Sequence, residues 1–209
     1  MGLIDLSFRP TGLELPADVT TYLQQMSPRV ERYRSKVPGG FRGFVPSDYE
    51  AFYSALSCVV DQRLACGSTF VEWGSGLGVS TCLAEMLGFD AFGIEIDERL
   101  VEAAERFAGE FDLNARFAHG SFIPDGADDL IDVAFAENQG EISMIVQSDD
   151  AYDQLQRGLD EFDVVFCFPW PTDEDVTAEI FERFASDGAI LLTFDEGEGY
   201  RVRRKSYSP

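Results

Sequence analysis

Histidine occurs once, at His119, and the four cysteines, Cys58, Cys66, Cys82 and Cys167, include no CxxC pair. A zinc site therefore has too few ligands at workable spacing, and reduced, mostly buried thiols are expected. No apolar run approaches the roughly 20 residues that cross a bilayer. The opening MGLIDLSFRPTGLELP has neither a basic region nor an apolar one of the signal-peptide kind, so the sequence reads as a soluble, unsecreted, cytoplasmic protein with no membrane partner. Positive charge is scarce. Sixteen Lys and Arg stand against 38 Asp and Glu, a formal net charge of −22, and only Lys36 and Lys205 are lysines. Such a field repels a phosphate backbone rather than releasing its counterions, so nucleic acid is not expected as a partner. The acids are spread along the chain, which fits a highly solvated surface or adaptation to a salty medium.

What is present alternates in pattern. The 209 residues, 45% hydrophobic, suit one globular domain with a terminal extension. Residues 1–46 read as that extension, with one helix around Ala17–Lys36 and a Pro/Gly-rich end, PGGFRGFVP. Residues 47–209 read as the main domain. Ser47 to Glu50, SDYE, has capping-box spacing, so a helix is expected to start there with Phe52, Tyr53, Leu56, Val59, Val60 and Leu64 on one face and Gly67 as its stop. A strand over Thr69–Trp73 follows. Val79, Cys82, Leu83, Met86 and Leu87 then keep helical spacing, AFGIEI reads as a second strand, and Leu100 to Phe111 as another amphipathic helix before a short strand at 115–118. DVVFCF, 163–168, is a continuous apolar run of the kind buried on both faces of a parallel sheet. Val176, Ile180, Phe181 and Phe184 form a helix face, and AILLTF a fifth strand. Repeated strand–helix units predict an α/β fold with a mostly parallel sheet covered by helices on both faces. Residues 125–162 read as an insert. There, LIDVAF and ISMIV flank ENQGE, which suggests a hairpin before a helix near Ala151–Leu159.

The stretch FVEWGSGLGVST, Phe70 to Thr81, places an acid at the end of a strand and then Gly74, Gly76 and Gly78 in the turn to a helix. In a sheet of this type ligands bind beyond the carboxyl ends of the strands, and glycines let a ligand approach the backbone. A dinucleotide fingerprint would be GxGxxG, but the third glycine position holds Val79. Glu72 is awkward beside a pyrophosphate and suits a ligand bearing an ammonium group.

Glu72 to Gly78, ExGxGxG, resembles motif I of the class I S-adenosylmethionine-dependent methyltransferases. That resemblance implies a Rossmann-like fold, S-adenosylmethionine as cofactor, and a turn Glu72, Gly74, Ser75, Gly76, Gly78 under its methionine part. Glu95, in GIEID and 23 residues after Glu72, stands where the family carries the acid that accepts from both ribose hydroxyls. Asp97 is expected as a helix cap instead. Where the family often meets the adenine amino group this chain has AHGSF, leaving Ser121 as a weak acceptor and Phe122 to pack on the ring. His119 is read as structural more readily than as a base. Amine-methylating relatives carry [DNS]PP[YF] after the fourth strand, and this chain has Phe168, Pro169, Trp170 and Pro171 there. Without a polar first residue, the turn keeps a backbone carbonyl at Phe168 and an aromatic Trp170 as an acceptor-pocket wall. Asp173 and Glu174 read as first-turn acids.

The layout is distantly similar to the non-SET histone-lysine methyltransferases, which extends to fold and cofactor and not to substrate. Family members add a helix and two strands after strand five, whereas GEGYRVRRKS supplies one short strand, hairpin-linked, so the sheet is expected to be shortened at its C-terminal edge. The resemblance implies methyl transfer to a small molecule or a protein side chain, by in-line approach and without metal or a protein nucleophile. Two other readings remain, a non-catalytic cofactor-binding regulatory or scaffold protein and, against Glu72 and Val79, an NAD-dependent oxidoreductase.

The charge surplus generates a first prediction. If the acidity is an adaptation to salt, screening of self-repulsion raises the melting temperature steadily from low salt toward molar KCl; a melting point that stays flat over that series removes the adaptation and leaves plain solvation.

Overall fold

The computed structural model describes residues 2–8, 14–36, 47–137, 151–169, 172–195 and 199–206. In chain order the elements are β1 (Gly2–Asp5), α1 (Ala17–Lys36), α2 (Tyr49–Asp61), β2 (Thr69–Trp73), α3 (Val79–Met86), β3 (Asp90–Glu95), α4 (Glu98–Glu110), β4 (Arg116–His119), α5 (Asp128–Glu137), α6 (Ala151–Leu155), β5 (Val164–Cys167), α7 (Glu174–Phe184), β6 (Ile190–Asp195) and β7 (Gly199–Ser206). A short 3-10 turn, Leu159–Glu161, precedes β5.

One seven-stranded sheet runs β1-β7-β6-β5-β2-β3-β4. The five central strands are mutually parallel, as the βα alternation predicts. Their side chains divide into two cores by the two-residue period of a strand. Phe70, Val164, Phe166, Ile190, Leu192 and Val202 pack against α1 to α4. Val71, Trp73, Val165, Cys167 and Leu191 pack against α5 to α7. With helices burying both faces, the strands can be apolar throughout, which is why DVVFCF carries no polar alternation.

Several expectations are corrected. The cap of α2 is Asp48, whose carboxylate accepts from the Ala51 amide at 3.0 Å, and not Ser47. The helix ends at Asp61, and Val60 is 40% exposed, outside the buried face. Gly67 is no helix stop. A Cβ there would fall 2.4 Å from the Asp163 carboxylate, which accepts from the Thr69 amide and hydroxyl. LIDVAF is helical, lying in α5, because Ile131 and Ala134 bury at helical spacing after an acidic first turn of Asp128 and Asp129. The other arm of the expected hairpin, ISMIV, lies outside the described residues.

At the C-terminal edge the chain supplies one strand, as expected: β7, antiparallel to β6. The sheet continues past it because β1, from the first residues of the chain, pairs antiparallel with β7, from Gly2 opposite Ser206 to Asp5 opposite Arg203. β1 therefore points the same way as the central strands. Arg201 holds Asp5 through two hydrogen bonds, at 2.6 and 3.0 Å. No helix among the described residues is long and apolar enough to cross a membrane. The cysteines are free thiols, three buried and Cys66 exposed.

Removing residues 1–8 strips a ladder and the apolar cover of Leu3 and Leu6 from β7. The expected loss is about 2–4 kcal/mol of unfolding free energy, measured by urea denaturation; a truncated chain as stable as the full one would mean that β1 contributes nothing to the sheet.

Candidate functional site

β2 ends in Glu72 and Trp73, and the chain turns at its carboxyl edge through three glycines with positive φ: Gly74 at 76°, Gly76 at 55° and Gly78 at 71°. Left-handed backbone is strained for any residue with a Cβ, so the spacing of these glycines encodes the turn. The amides of Gly74 and Ser75 both donate to the Ile94 carbonyl, at 2.9 and 3.0 Å, which fixes the turn to the end of β3. The glycines differ in purpose. A Cβ on Gly78 would sit 2.5 Å from the Phe117 ring and 2.9 Å from the Ala104 Cβ, so that position is set by packing of α3 on β4 and α4. A Cβ on Gly74 would meet nothing within 4 Å, which leaves the approach to the backbone open there.

Glu72 is 5% exposed, and its Oε2 accepts from the Thr81 amide at 2.9 Å and the Thr81 hydroxyl at 2.6 Å. Gly78, the residue before α3, has no side chain to cap the helix, and Glu72 satisfies a first-turn amide in its place. Burial pushes the Glu72 carboxyl up to about 8, against the lowering effect of its hydrogen bonds from Thr81 and Ser80, and the nearby Glu95 adds to the rise. No ion pair reaches Glu72 among the described residues. The carboxyl therefore sits in a place that favours a cation beside it and lacks one among the described residues. Thr81 was not singled out in the sequence, although a hydroxyl residue in the first turn of the helix after an acid-ended strand is the available signal.

Glu95, at the end of β3, is 8% exposed and also tied to the turn. Its Oε2 accepts from the Gly76 amide at 2.8 Å and its Oε1 from the Asp97 amide at 3.0 Å. Burial raises its pKa, offset by the amides of Asp97, Gly76 and Ile96. A carboxylate has about four acceptor positions, so with these amides Glu95 keeps acceptor capacity for a hydroxyl donor. Ser75, between them, is 5% exposed, and its Oγ has no hydrogen-bond partner among the described residues. Asp97 caps α4 through the Arg99 amide, as expected.

After β4, His119 is exposed and its Nε2 lies 3.1 Å from the Ile96 carbonyl, a link between loops. Ser121 is buried, and its Oγ accepts from the Ile123 amide at 3.2 Å. Phe122 stacks on Trp73 with centroids 5.0 Å apart and planes 9° apart, so one face of the ring is taken by the protein. The Phe122 carbonyl accepts from the Tyr152 hydroxyl at 2.8 Å. Beyond β5, Phe168 and Pro169 are half-buried, and the Phe168 ring stacks on Phe194 at 5.1 Å and 13°. Trp170 and Pro171 lie outside the described residues. β2 and β5 are neighbours, so the turn beginning at Phe168 leaves the sheet beside the glycine turn. Asp173 precedes α7, and Glu174 and Asp175 occupy its first turn. Among the described residues no group of His, Cys, Asp and Glu is arranged to hold a metal ion.

No protein-family model and no curated protein matches the chain. Solved structures do match it. An RNA methyltransferase from Salinibacter ruber, in complex with S-adenosyl-L-homocysteine, aligns with a TM-score of 0.53 at 16% identity, over 79% of this chain and 96% of its own. A SAM-dependent methyltransferase from Thiobacillus denitrificans with the same ligand gives a TM-score of 0.42 at 19% identity, over 87% of this chain and 56% of its own. This chain thus spans little more than half the length of that protein. The SAH-bound Podospora anserina methyltransferase gives 0.48 at 10%, over 86% of this chain and 62% of its own. At such identities the likeness concerns architecture: the chain has the Rossmann-like class I methyltransferase fold.

The buried acid makes stability depend on pH. A carboxyl raised to about 8 when folded, against 4.5 when exposed, binds a proton in the folded state that the unfolded state has released between those values. Stability of the ligand-free protein therefore falls as pH rises through that window, by up to about 1.4 kcal/mol per pH unit, and levels off above it. Glu72→Gln removes that part of the slope. Urea denaturation at pH 5.0, 6.5 and 8.0 checks it; identical slopes in the two proteins would mean that Glu72 is ionised throughout.

Proposed function

We propose that the protein is an S-adenosylmethionine-dependent methyltransferase acting on a small molecule or a protein side chain, by in-line transfer without metal. The observation that carries the reading is the pair of buried carboxylates around an open glycine turn, at the carboxyl edge where β2 and β3 end. Glu72 has no cationic partner among the described residues, Glu95 retains acceptor positions, and the Ser75 hydroxyl is buried without a partner. The residues present therefore fit a ligand with an ammonium group and a vicinal diol. The fold, shared with structures that hold S-adenosyl-L-homocysteine, supports the same reading.

When bound, S-adenosylmethionine supplies a methyl group on a positively charged sulfur, an electrophile that needs no further activation. The chain's own residues then bind and orient. Glu72 gives up its proton to face the ammonium group while keeping Thr81, and Glu95 receives the ribose hydroxyls while holding the Gly76 amide. Gly74, Ser75, Gly76 and Gly78 line the backbone approach. Ser121 and Phe122 border the adenine, with Phe122 fixed in plane by Trp73. Phe168 and Pro169 wall the acceptor side, where positioning accounts for most of the rate, on the order of 7–11 kcal/mol at its best.

One observation favours a second reading, a regulatory or scaffold protein that binds the cofactor without turnover. The Phe168 side chain is committed to Phe194 and offers no polar group to an acceptor nitrogen. The net charge of −22 favours a small molecule or a basic protein segment over RNA or DNA as acceptor.

Calorimetry with S-adenosylmethionine, S-adenosyl-L-homocysteine and NAD in parallel separates these readings. S-adenosyl-L-homocysteine is expected to bind and NAD not to bind, and Glu95→Ala to weaken the former by about 1.5–3 kcal/mol, or about 10- to 150-fold. Unchanged affinity in the variant removes the ribose assignment. Binding without methyl transfer to any small-molecule or protein pool selects the scaffold reading, and tight binding of bulk RNA at physiological salt overturns the acceptor class.

A further inference from the structure

The face of the sheet that carries Glu72 ends, at the carboxyl edge, in a row of aromatic rings. Strand alternation sends Phe168, Phe194 and Tyr200 to the same face as Glu72 and Phe166. Phe194 and Tyr200 are register partners with centroids 5.1 Å apart, and Phe168 stacks on Phe194 at the same distance. One step toward the amino edge, Glu72 lies beside Phe166 in register, and Phe52 backs Phe166 at 4.5 Å. The row is half-buried. On its β2 side the chain has already left the sheet at Gly74, next to which there is open space.

Among the described residues, the charges that act on Tyr200 at the end of the row are acidic. The Tyr200 hydroxyl donates to the Asp48 carbonyl at 3.4 Å, and neither Asp48 nor Glu72 makes an ion pair among the described residues. Burial raises the Tyr49 and Tyr200 hydroxyl pKa values, and the Glu72 charge raises both further. The neighbouring guanidinium, Arg201, belongs to the other face of β7, where Asp5 and Glu174 hold it. A π face beside the Asp48 carboxylate, which has no ion-pair partner among the described residues, attracts a cation and offers a neutral group apolar contact only.

We propose that the row Phe168, Phe194 and Tyr200, with Asp48, receives an alkylammonium group of the methyl acceptor, an assignment that rests on the cofactor reading above, in which Glu72 faces the cofactor's own ammonium group. Sulfur- and oxygen-centred neutral acceptors would gain nothing from this arrangement. The cofactor's own ammonium group is the other source of the same chemistry, and the experiment separates the two.

Choline and its neutral isostere 3,3-dimethylbutan-1-ol are titrated by NMR into the full chain, with and without saturating S-adenosyl-L-homocysteine. The expected result is a preference for choline of about tenfold or more, retained when S-adenosyl-L-homocysteine is present. Contacts from the choline methyl protons to the rings of Phe168, Phe194 and Tyr200 should locate it without any substitution. Phe194→Leu, or Phe168→Leu if the first does not fold, should reduce the preference to near one while leaving S-adenosyl-L-homocysteine affinity within twofold. Equal affinity for the two probes, displacement of choline by S-adenosyl-L-homocysteine, or methyl contacts elsewhere overturns the proposal. Failure of S-adenosyl-L-homocysteine to bind overturns the cofactor reading instead, and the probe preference at the row is still read in its absence.

Discussion

Two carboxylates inside the protein hold one turn by its backbone amides, and the geometry of the carboxyl edge depends on that clamp. Glu95 takes the Gly76 amide and Glu72 takes the Thr81 amide, so the loop between β2 and α3 is fastened from both strands that flank it. A glycine turn with three positive-φ residues would otherwise have large backbone freedom, because glycine loses more entropy on ordering than any other residue. Burying acids for this purpose is costly, and burial raises the pKa of both. The arrangement stays polar and poised: each acid is satisfied enough to remain inside and retains capacity for one more partner.

Much of the sheet was legible because it follows from local rules. The strand-like stretch 69–73, the continuous apolar run at 163–168, helical spacing after each, and glycines between them place β2, α3, β3, α4, β5, α7 and β6 without reference to the rest of the chain. What was not legible depends on partners remote in sequence. Ser47 and Asp48 are both good caps, and only the turn geometry decides that Asp48 reaches the Ala51 amide. LIDVAF carries strand-like β-branched residues, but Ile131 and Ala134 find a core on the α7 side that selects helix. In the site, Glu72 was singled out as the acid ending a strand before a glycine turn and Glu95 through the family resemblance, whereas their ties to Thr81 and Gly76 were not legible. Phe194 and Tyr200 were invisible as neighbours of Phe168, since a row across three strands has no signature in any one of them.

Several of the few positive charges join segments that the sheet does not, while Arg116 bridges the neighbouring strands β4 and β3. Arg29 on α1 meets Glu110 on α4 at 2.9 Å, Arg183 on α7 meets Asp129 on α5 at 2.6 Å, and Arg116 and Arg157 converge on Asp90. Each such exposed pair is worth only about 0–1 kcal/mol. Their effect is one of placement: in a chain with 22 more acids than bases, each acid that meets an arginine escapes repulsion that its neighbours feel.

The pairing of β1 with β7 has a consequence in time. The Ser206 hydroxyl and the Gly2 carbonyl that meet at this edge are 204 positions apart, so the contact closes nearly the longest loop the chain can form. During synthesis from the N-terminus, the first strand emerges and waits while every other element is made. Until β7 arrives, Leu3 and Ile4 have no ladder to join, and the forming domain carries an unpaired strand with a hydrophobic face. Contacts of such range slow folding, because loop closure must be met before they return any stabilisation. The β1–β7 edge therefore cannot close until both segments have been made, however early the parallel strands pair.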